Sequence, residues 1–278
     1  MVDDRIFGHA AELGFYFLFA LFPTLFCAGS ILGLVARSAV EFYQQLLDYL
    51  ALVIPTEAMG TVLSTFNETT EAATSGKVTF GLIAAFWSAS VGISAIQDTL
   101  NAVYKIEDSR SYFVARIYAI GLTILLTVIV TFGLAALLAG DYFARVSYHH
   151  IPDHFNAILV AISAQVLCWI IALCCLTLSF AVIYYWAPDR NKRRWHWLTP
   201  GGAVGIVGWL LASLGFRIYL HFFTGFTMTY GSLGAVTILL TWFYITGLML
   251  LIGAEINSQI EAGTTEAQLE AHGPESNA

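Results

Sequence analysis

Charged residues are what this sequence has least of. Only 11% of its positions are Asp, Glu, Lys or Arg, whereas 58% are hydrophobic and the mean hydropathy is +0.73. Soluble domains carry roughly 25% charge. A water-soluble enzyme of this composition would aggregate, so the composition indicates a membrane protein.

The groupings that carry catalysis or hold metals are also missing. No cluster of carboxylates and histidines has metal-ligand spacing, no nucleophile has a base beside it, and no Walker-type phosphate loop is present. We therefore expect no catalytic residue, metal, cofactor, enzymatic activity or nucleic-acid partner, and no transport powered by ATP hydrolysis in this chain. The cysteines lie in apolar runs without zinc spacing, at Cys27, Cys168, Cys174 and Cys175.

Six long apolar runs, almost free of charge, make up most of the chain. Crossing a hydrocarbon core takes roughly 20 apolar residues as a helix, because lipid offers no hydrogen-bond partner to an open backbone. The runs are continuous rather than alternating, which favours helices over barrel strands. The sequence thus predicts an all-α polytopic membrane protein with six transmembrane helices in one domain, residues 1–260, and a disordered cytoplasmic tail, residues 261–278. The predicted spans are 14–36, 78–96, 117–140, 156–186, 198–220 and 230–254.

The segment between the first two spans, residues 37–77, is too polar to cross the membrane and too apolar to be a free loop. Apolar side chains recur at helical spacing from Phe42 to Ile54, and Pro55 would end that helix. This pattern predicts an outer-face helical elbow. A simple connecting hairpin is the alternative.

Lysine and arginine are unevenly distributed between the loops. If the N-terminus is inside, eight of the 12 basic residues fall on the inner side and four on the outer. The positive-inside rule then places both termini in the cytoplasm. A basic cluster supports this orientation and suggests contact with anionic lipid head groups as well: Arg190, Lys192, Arg193 and Arg194.

The second span carries the clearest polar pattern. Ser90, Ser94, Gln97 and Asn101 follow at steps of four, three and four, so they share one helix face. In a membrane such a stripe faces a polar path, or it packs against another helix through hydrogen bonds. Both interpretations stay open.

Two further features could contribute to a path. Glu255 lies at the inner end of the last span and needs a partner, which Arg194 or Arg116 could supply; it would act as a gate or an ion pair. A weaker signal comes from threonines that recur at steps of four in the third span. They are Thr123, Thr127 and Thr131.

Several segments together carry a family resemblance: 13–23, 86–90 leading to Asn101, 185–188, 200–201 with Tyr219, 230–235 and 253–257. In their order and spacing they resemble the YihY/BrkB family of bacterial inner-membrane proteins, once labelled ribonuclease BN, over roughly residues 5–260. The resemblance implies a six-helix inner-membrane protein from a family linked to serum resistance and to export of lipids or small solutes. Nothing in this sequence fits the chemistry of a ribonuclease.

These observations predict an inner-membrane transporter of lipid or of a small polar or amphiphilic solute, with membrane lipids as partners. Its path would involve Ser90, Ser94, Gln97, Asn101 and Glu255. The alternative is a non-transporting scaffold that assembles with itself or with envelope proteins, in which the same residues only pack helices. The two differ in whether the stripe faces a cavity.

Overall fold

The structure of this chain is a computed structural model that describes residues 5–35, 60, 64, 75–150, 154–189, 199–222 and 232–271. Over these ranges the chain forms six long α-helices and no β-strand. The helices are α1 (Ile6–Val35), α2 (Ser75–Val103), α3 (Tyr112–His150), α4 (His154–Trp186), α5 (Pro200–Phe222) and α6 (Ser232–Ala271).

The described helices are of the length and composition that a bilayer requires. Five contain segments long and apolar enough to cross it, and α1 contributes a shorter apolar segment, Ile6–Leu21. A helix satisfies its own backbone, so each segment can lie in hydrocarbon without unpaired peptide groups. The predicted all-α polytopic membrane architecture is confirmed. The five segments are Thr79–Val103, Tyr112–Gly140, Ile158–Trp186, Pro200–Phe222 and Leu233–Gly263.

The second and third helices extend beyond the apolar runs that predicted them. The apolar run ends at residue 96, but α2 continues to Val103, and the loop before α3 is only residues 104–111. Lys105 ends α2 in the left-handed conformation, with φ 54°. The Ile106 N–H donates to the Asn101 carbonyl at 2.9 Å, as in a Schellman cap.

The last helix also continues further than predicted. It reaches Ala271, whereas disorder was expected from residue 261. Residues 261–271 are rich in Ala, Glu, Gln and Leu, which favour helix once an upstream turn exists. Most of the predicted elbow, residues 37–74, and the tail from 272 lie outside the described residues.

The core lies where α1, α2, α4 and α6 meet. Leu13, Leu100, Leu251 and Ala254 are completely buried there, and Val182 of α4 packs with them. α3 packs mainly against α4, and α5 against α6. Large apolar side chains on the outward faces would contact lipid, among them Phe80, Ile117, Phe132 and Leu211.

The direction of the helices defines two ends of the bundle. We call the end that carries residues 104–111 and 187–189 the Asn101 end; α1, α3 and α5 begin there and α2 and α4 finish there. This end holds most of the polar contacts described below.

Candidate functional site

A cavity of about 520 Å³ lies among α1, α2, α3 and α6. Nearly all of its wall is made of hydrocarbon groups. It is open on one side, where Thr127, Val130 and Thr131 of α3 are exposed. The other walls are formed by Phe17, Ala20 and Leu21 of α1, Ala89, Gly92 and Ile93 of α2, Thr123 and Leu126 of α3, and Phe243 and Thr246 of α6.

The threonines add little polarity to this cavity. Thr123 donates its hydroxyl hydrogen to the Ala119 carbonyl at 2.7 Å, and Thr127 donates to the Thr123 carbonyl at 2.7 Å. Such bonds to the preceding turn satisfy a hydroxyl within its own helix. The cavity can therefore accept an apolar group such as an acyl chain, and it offers few hydrogen-bond donors to a polar solute.

The first two residues of the predicted stripe, Ser90 and Ser94, form their hydrogen bonds within the protein. Ser90 is buried and donates to the Trp87 carbonyl at 2.7 Å, and Ser94 donates to the Ser90 carbonyl at 3.1 Å. Neither serine lines the cavity. Ser94 also accepts a hydrogen bond from Arg116 of α3, so it joins two helices.

Gln97 and Glu255 each leave one polar atom without a partner. Gln97 is 2% exposed and its Nε2 has no hydrogen-bond partner among the described residues. Glu255 is 5% exposed; its Oε1 accepts from Gln259 at 2.9 Å, while its Oε2 has no such partner in the described part. Arg116 does not pair with Glu255, contrary to one expectation, and Arg194 lies outside the described residues.

Asn101 ends the stripe and joins two connecting segments. Its Nδ2 donates to Asp108 Oδ2 at 3.0 Å, and its Oδ1 accepts from the Asp189 N–H at 2.8 Å. Ser109 closes the arrangement, since its N–H and its hydroxyl both donate to Asp189 Oδ2, at 2.8 and 2.6 Å. We call Asn101, Asp108, Ser109, Arg110 and Asp189 the Asn101 junction.

Arg110 supplies the positive charge of the Asn101 junction. Its Nε and Nη2 donate to the two carboxylate oxygens of Asp108 at 2.9 and 2.7 Å, a bidentate pair. These bonds hold the pKa of the Asp108 carboxyl below its ordinary value, and the same contact raises the pKa of Arg110. The Arg110 Nε also lies 3.7 Å from Asp189 Oδ1.

Arg116 lies in the groove between α2 and α3. Its Nη1 donates to Ser94 Oγ at 3.2 Å, and its guanidinium carbon lies 4.4 Å from the centre of the Trp87 ring. Its Nε and Nη2 are buried and have no hydrogen-bond partner among the described residues. Within the described part of the chain, this cation is thus held by a hydroxyl and a ring, without a carboxylate.

A second polar contact joins α5 to α6 at the Asn101 end. Asn257 Oδ1 accepts from the Gly201 N–H at 2.8 Å, and its Nδ2 donates to the Thr199 hydroxyl at 2.9 Å. Tyr184 of α4 donates to the Leu250 carbonyl at 2.8 Å. These bonds connect the end of α4 and the start of α5 to the middle of α6.

The remaining sequence expectations are only partly covered by the structure. The basic cluster, residues 190–194, lies outside the described residues, as does Cys27 at the side-chain level. In the described part of the chain, no group of three or more His, Cys, Asp or Glu side chains is placed to hold a metal ion. The expectation that the chain is not an enzyme stays a prediction.

Sequence reasoning missed the cavity and most of the Asn101 junction. The threonine spacing of α3 was a signal for the cavity, since Thr123, Thr127 and Thr131 are among the residues that line it. Asp108 and Asp189 gave no signal, because their partners lie in distant or irregular segments. That the stripe lines a path stays a prediction.

Long apolar helices around a shared core, with large apolar side chains on their outer faces, define a polytopic helical membrane protein. Within that class the chain belongs to the family described as Virulence factor BrkB, which matches residues 1–277. The resemblance noted in the sequence is confirmed.

Curated relatives are known from several bacteria. The chain is 31% identical over 251 residues to the ribonuclease-like protein YfkH of Bacillus subtilis, covering 90% of this chain and 88% of that one. It is 26% identical over 266 residues to a UPF0761 membrane protein of Xanthomonas oryzae, and 26% identical over 267 residues to another from Stenotrophomonas maltophilia. In both of these, 94% of this chain aligns with 59% of the relative, so the chain spans about three fifths of their length. No solved structure shows a significant match.

Proposed function

We propose that this protein moves a lipid, or another amphiphile with an acyl chain, across or within the membrane without hydrolysing ATP. The observation that carries the proposal is the apolar cavity among α1, α2, α3 and α6. Its volume of about 520 Å³ lies within the range of roughly 300–1,000 Å³ common for ligand sites.

The chemistry of the walls favours an amphiphile over a small polar solute. A polar solute needs hydrogen-bond partners to replace its water, whereas the Thr123 and Thr127 hydroxyl hydrogens are already bonded within α3. An acyl chain needs only apolar contact. The open side, where Thr127, Val130 and Thr131 of α3 are exposed, gives such a chain a route from the bilayer.

The predicted polar residues have a supporting role in this proposal. Ser94 joins α2 to α3, Asn101 joins two connecting segments, and Gln97 and Glu255 are buried at the Asn101 end. They would hold the helices that surround the cavity. Glu255, with one oxygen unpartnered in the described part, is the member of the set best suited to act as a gate.

A non-transporting scaffold is the second candidate. The observation that favours it is that the stripe bonds to protein: Ser90 donates within α2, Ser94 accepts from Arg116 of α3, and Asn101 bonds to the connecting segments. A scaffold of this kind would associate with itself or with an envelope protein. The scaffold function gives the cavity no role.

The family and the distribution of charge support a proposal for the location. We propose that the protein lies in the bacterial inner membrane with both termini in the cytoplasm and with membrane lipids as its partners. The relatives named above are bacterial, and two are described as membrane proteins. Basic residues gather at the Asn101 end, including Arg5, Lys105, Arg110 and Arg116.

Flux in liposomes tests the transport proposal. Fluorescent phospholipids and a panel of small solutes would be followed with the wild type, with Gly92→Leu and with the control Gly215→Leu. A Cβ at either glycine meets nothing within 4 Å, so both positions can accept the start of a side chain, but only Gly92 lines the cavity.

We expect Gly92→Leu to lower lipid flux several-fold and Gly215→Leu to leave it unchanged. Equal lipid flux in Gly92→Leu and the wild type would show that the lipid does not pass through the cavity. Wild-type liposomes that pass neither lipid nor solute would favour the scaffold instead.

A further inference from the structure

Among the described residues, Arg116 is a half-buried arginine without a carboxylate partner. It is in the second turn of α3, and its Nε and Nη2 are covered but have no hydrogen-bond partner in the described part of the chain. A buried N–H left unbonded is unfavourable, and more so when the group is charged. The arrangement is explained if a third group binds the guanidinium.

The surroundings of Arg116 indicate an anion that approaches from the lipid side. The guanidinium stacks on Trp87, whose ring is 60% exposed on the outer surface of α2. Ile117, the next residue of α3, is also exposed, at 68%. A ligand approaching along the groove from the bilayer would therefore meet the Trp87 ring first, and movement of that ring would uncover the guanidinium.

Arg116 and the cavity lie along one line of the groove. Thr123, a cavity residue, is seven positions after Arg116 and so on the same face of α3, about 10 Å further along the helix. On α2, Ser94 follows directly after the cavity residue Ile93. The guanidinium also contacts Trp87, so its two neighbours on α2, Trp87 and Ser94, flank the cavity residues Ala89, Gly92 and Ile93 along that helix. A phosphate at Arg116 would thus leave its acyl chain close to the cavity.

We propose that Arg116, with Ser94, binds the phosphate of an anionic phospholipid whose acyl chain enters the cavity among α1, α2, α3 and α6. The inference rests on the proposed function and specifies the head group of its lipid. A guanidinium suits this role because its planar N–H groups bind two phosphate oxygens at once.

Equilibrium binding to the full chain tests the site without requiring transport. Native mass spectrometry in detergent would measure retention of phosphatidylglycerol, of diacylglycerol with the same chains, and of phosphatidylglycerol in competition with inorganic phosphate. The variants are Arg116→Gln, Arg116→Lys and Ser94→Ala. Arg217→Gln is the matched control, since Arg217 is an exposed α5 residue toward the opposite end.

We expect the wild type to bind phosphatidylglycerol more tightly than diacylglycerol. Arg116→Gln should weaken phosphatidylglycerol binding about ten-fold or more, the loss expected for a charge-assisted hydrogen bond, with no change in Arg217→Gln. The affinities of Arg116→Lys and Ser94→Ala for phosphatidylglycerol should lie between those of the wild type and Arg116→Gln. If Arg116→Gln does not fold, as judged by its elution and melting profile, the comparison with wild type is made with Arg116→Lys and Ser94→Ala instead.

Three results would overturn the inference: equal affinity of the wild type for diacylglycerol, unchanged phosphatidylglycerol binding when Arg116 or Ser94 is altered, or displacement of the lipid by free phosphate alone. Binding through Arg116 with no lipid flux would uphold this site and reject the proposed transport. Flux that falls in Gly92→Leu but not in Arg116→Gln, with unchanged binding in the latter, would uphold transport and reject this site.

Discussion

Asp108 shows how a single side chain can hold the connecting segments of this protein together. It lies outside the membrane-spanning helices, in the 104–111 loop, where it accepts from Asn101 and from both arms of the Arg110 guanidinium. Its carboxylate form is favoured because a protonated carboxyl could not accept all of these bonds. The stability of the Asn101 junction should therefore depend on pH.

We predict that Arg110→Gln destabilises the protein at neutral pH, by about 1–2 kcal/mol for loss of a partly exposed charged pair, and that this difference shrinks in acid. The pKa of Asp108 is lower in the folded state, so the unfolded chain binds more protons as pH falls. The contribution is complete above the unfolded pKa of about 4 and is lost as pH falls through the folded value.

Melting curves in detergent from pH 7 to pH 3 would measure the difference in melting temperature between wild type and Arg110→Gln. This difference should become smaller as the pH falls, while the difference between wild type and Arg217→Gln should stay constant. If the difference for Arg110→Gln were the same at every pH, the Asp108 pair would contribute no pH-dependent stability.

At this scale the sequence showed which residues share a face but not what they touch. Asn101 could be placed at the end of a polar stripe because helical spacing is periodic. Its bond to the Asp189 N–H joins positions 88 apart, and no local pattern predicts such a pair. Glu255 and Arg116 illustrate the same limit, since a shared end of the bundle did not make them partners.

At the scale of elements, α5 and α6 are held together by a close backbone approach. Gly201 of α5 lies so near α6 that a Cβ would overlap the Gly253 carbonyl oxygen and press on Asn257. Small residues at helix interfaces allow such contacts in membranes, where packing rather than water release drives association. The Gly201 N–H bond to Asn257 depends on the same approach.

We predict that Gly201→Ala destabilises the protein by about 1–3 kcal/mol, the usual cost of overpacking against atoms that cannot move aside. Gly215→Ala in the same helix meets nothing within 4 Å and should be neutral or stabilising by up to about 1 kcal/mol. Melting temperatures of the two variants measured side by side would check this. If both variants melted alike, the close approach at Gly201 would carry no energetic weight.

The helices themselves were predictable because apolar length is a local property. The predicted spans 78–96, 117–140 and 156–186 lie entirely in α2, α3 and α4. Those at 198–220 and 230–254 lie in α5 and α6 from residues 200 and 232 onward. The ends differ where polar residues continue a helix. α2 continues to Val103 because residues such as Gln97, Thr99 and Asn101 are buried by neighbouring helices rather than exposed in a loop. Burial by other elements is not visible in the sequence of one segment.

At the scale of the whole molecule, the few charges matter chiefly through their positions. The Asn101 end carries Lys105 and Arg110 in a loop and Arg116 at the start of α3, and residues 187–189 of the same end lead into the basic cluster. The opposite end carries fewer basic residues, Lys77, Arg145 and Arg217 in the described part. The proposed orientation, with the Asn101 end in the cytoplasm, follows from this difference.

We predict that a cysteine at Glu107 reacts with a membrane-impermeant maleimide only after the membrane is permeabilised, whereas one at Phe155 reacts in intact spheroplasts. Glu107 is exposed in the loop of the Asn101 end, and Phe155 is exposed at the start of α4, at the other end. Both would be introduced into a chain whose four native cysteines are replaced by serine, and both should react in detergent. Labelling of Glu107→Cys alone in spheroplasts would reverse the orientation. It would also place Arg116 and its proposed phosphate site in the outer leaflet, so this experiment determines from which leaflet a lipid would enter.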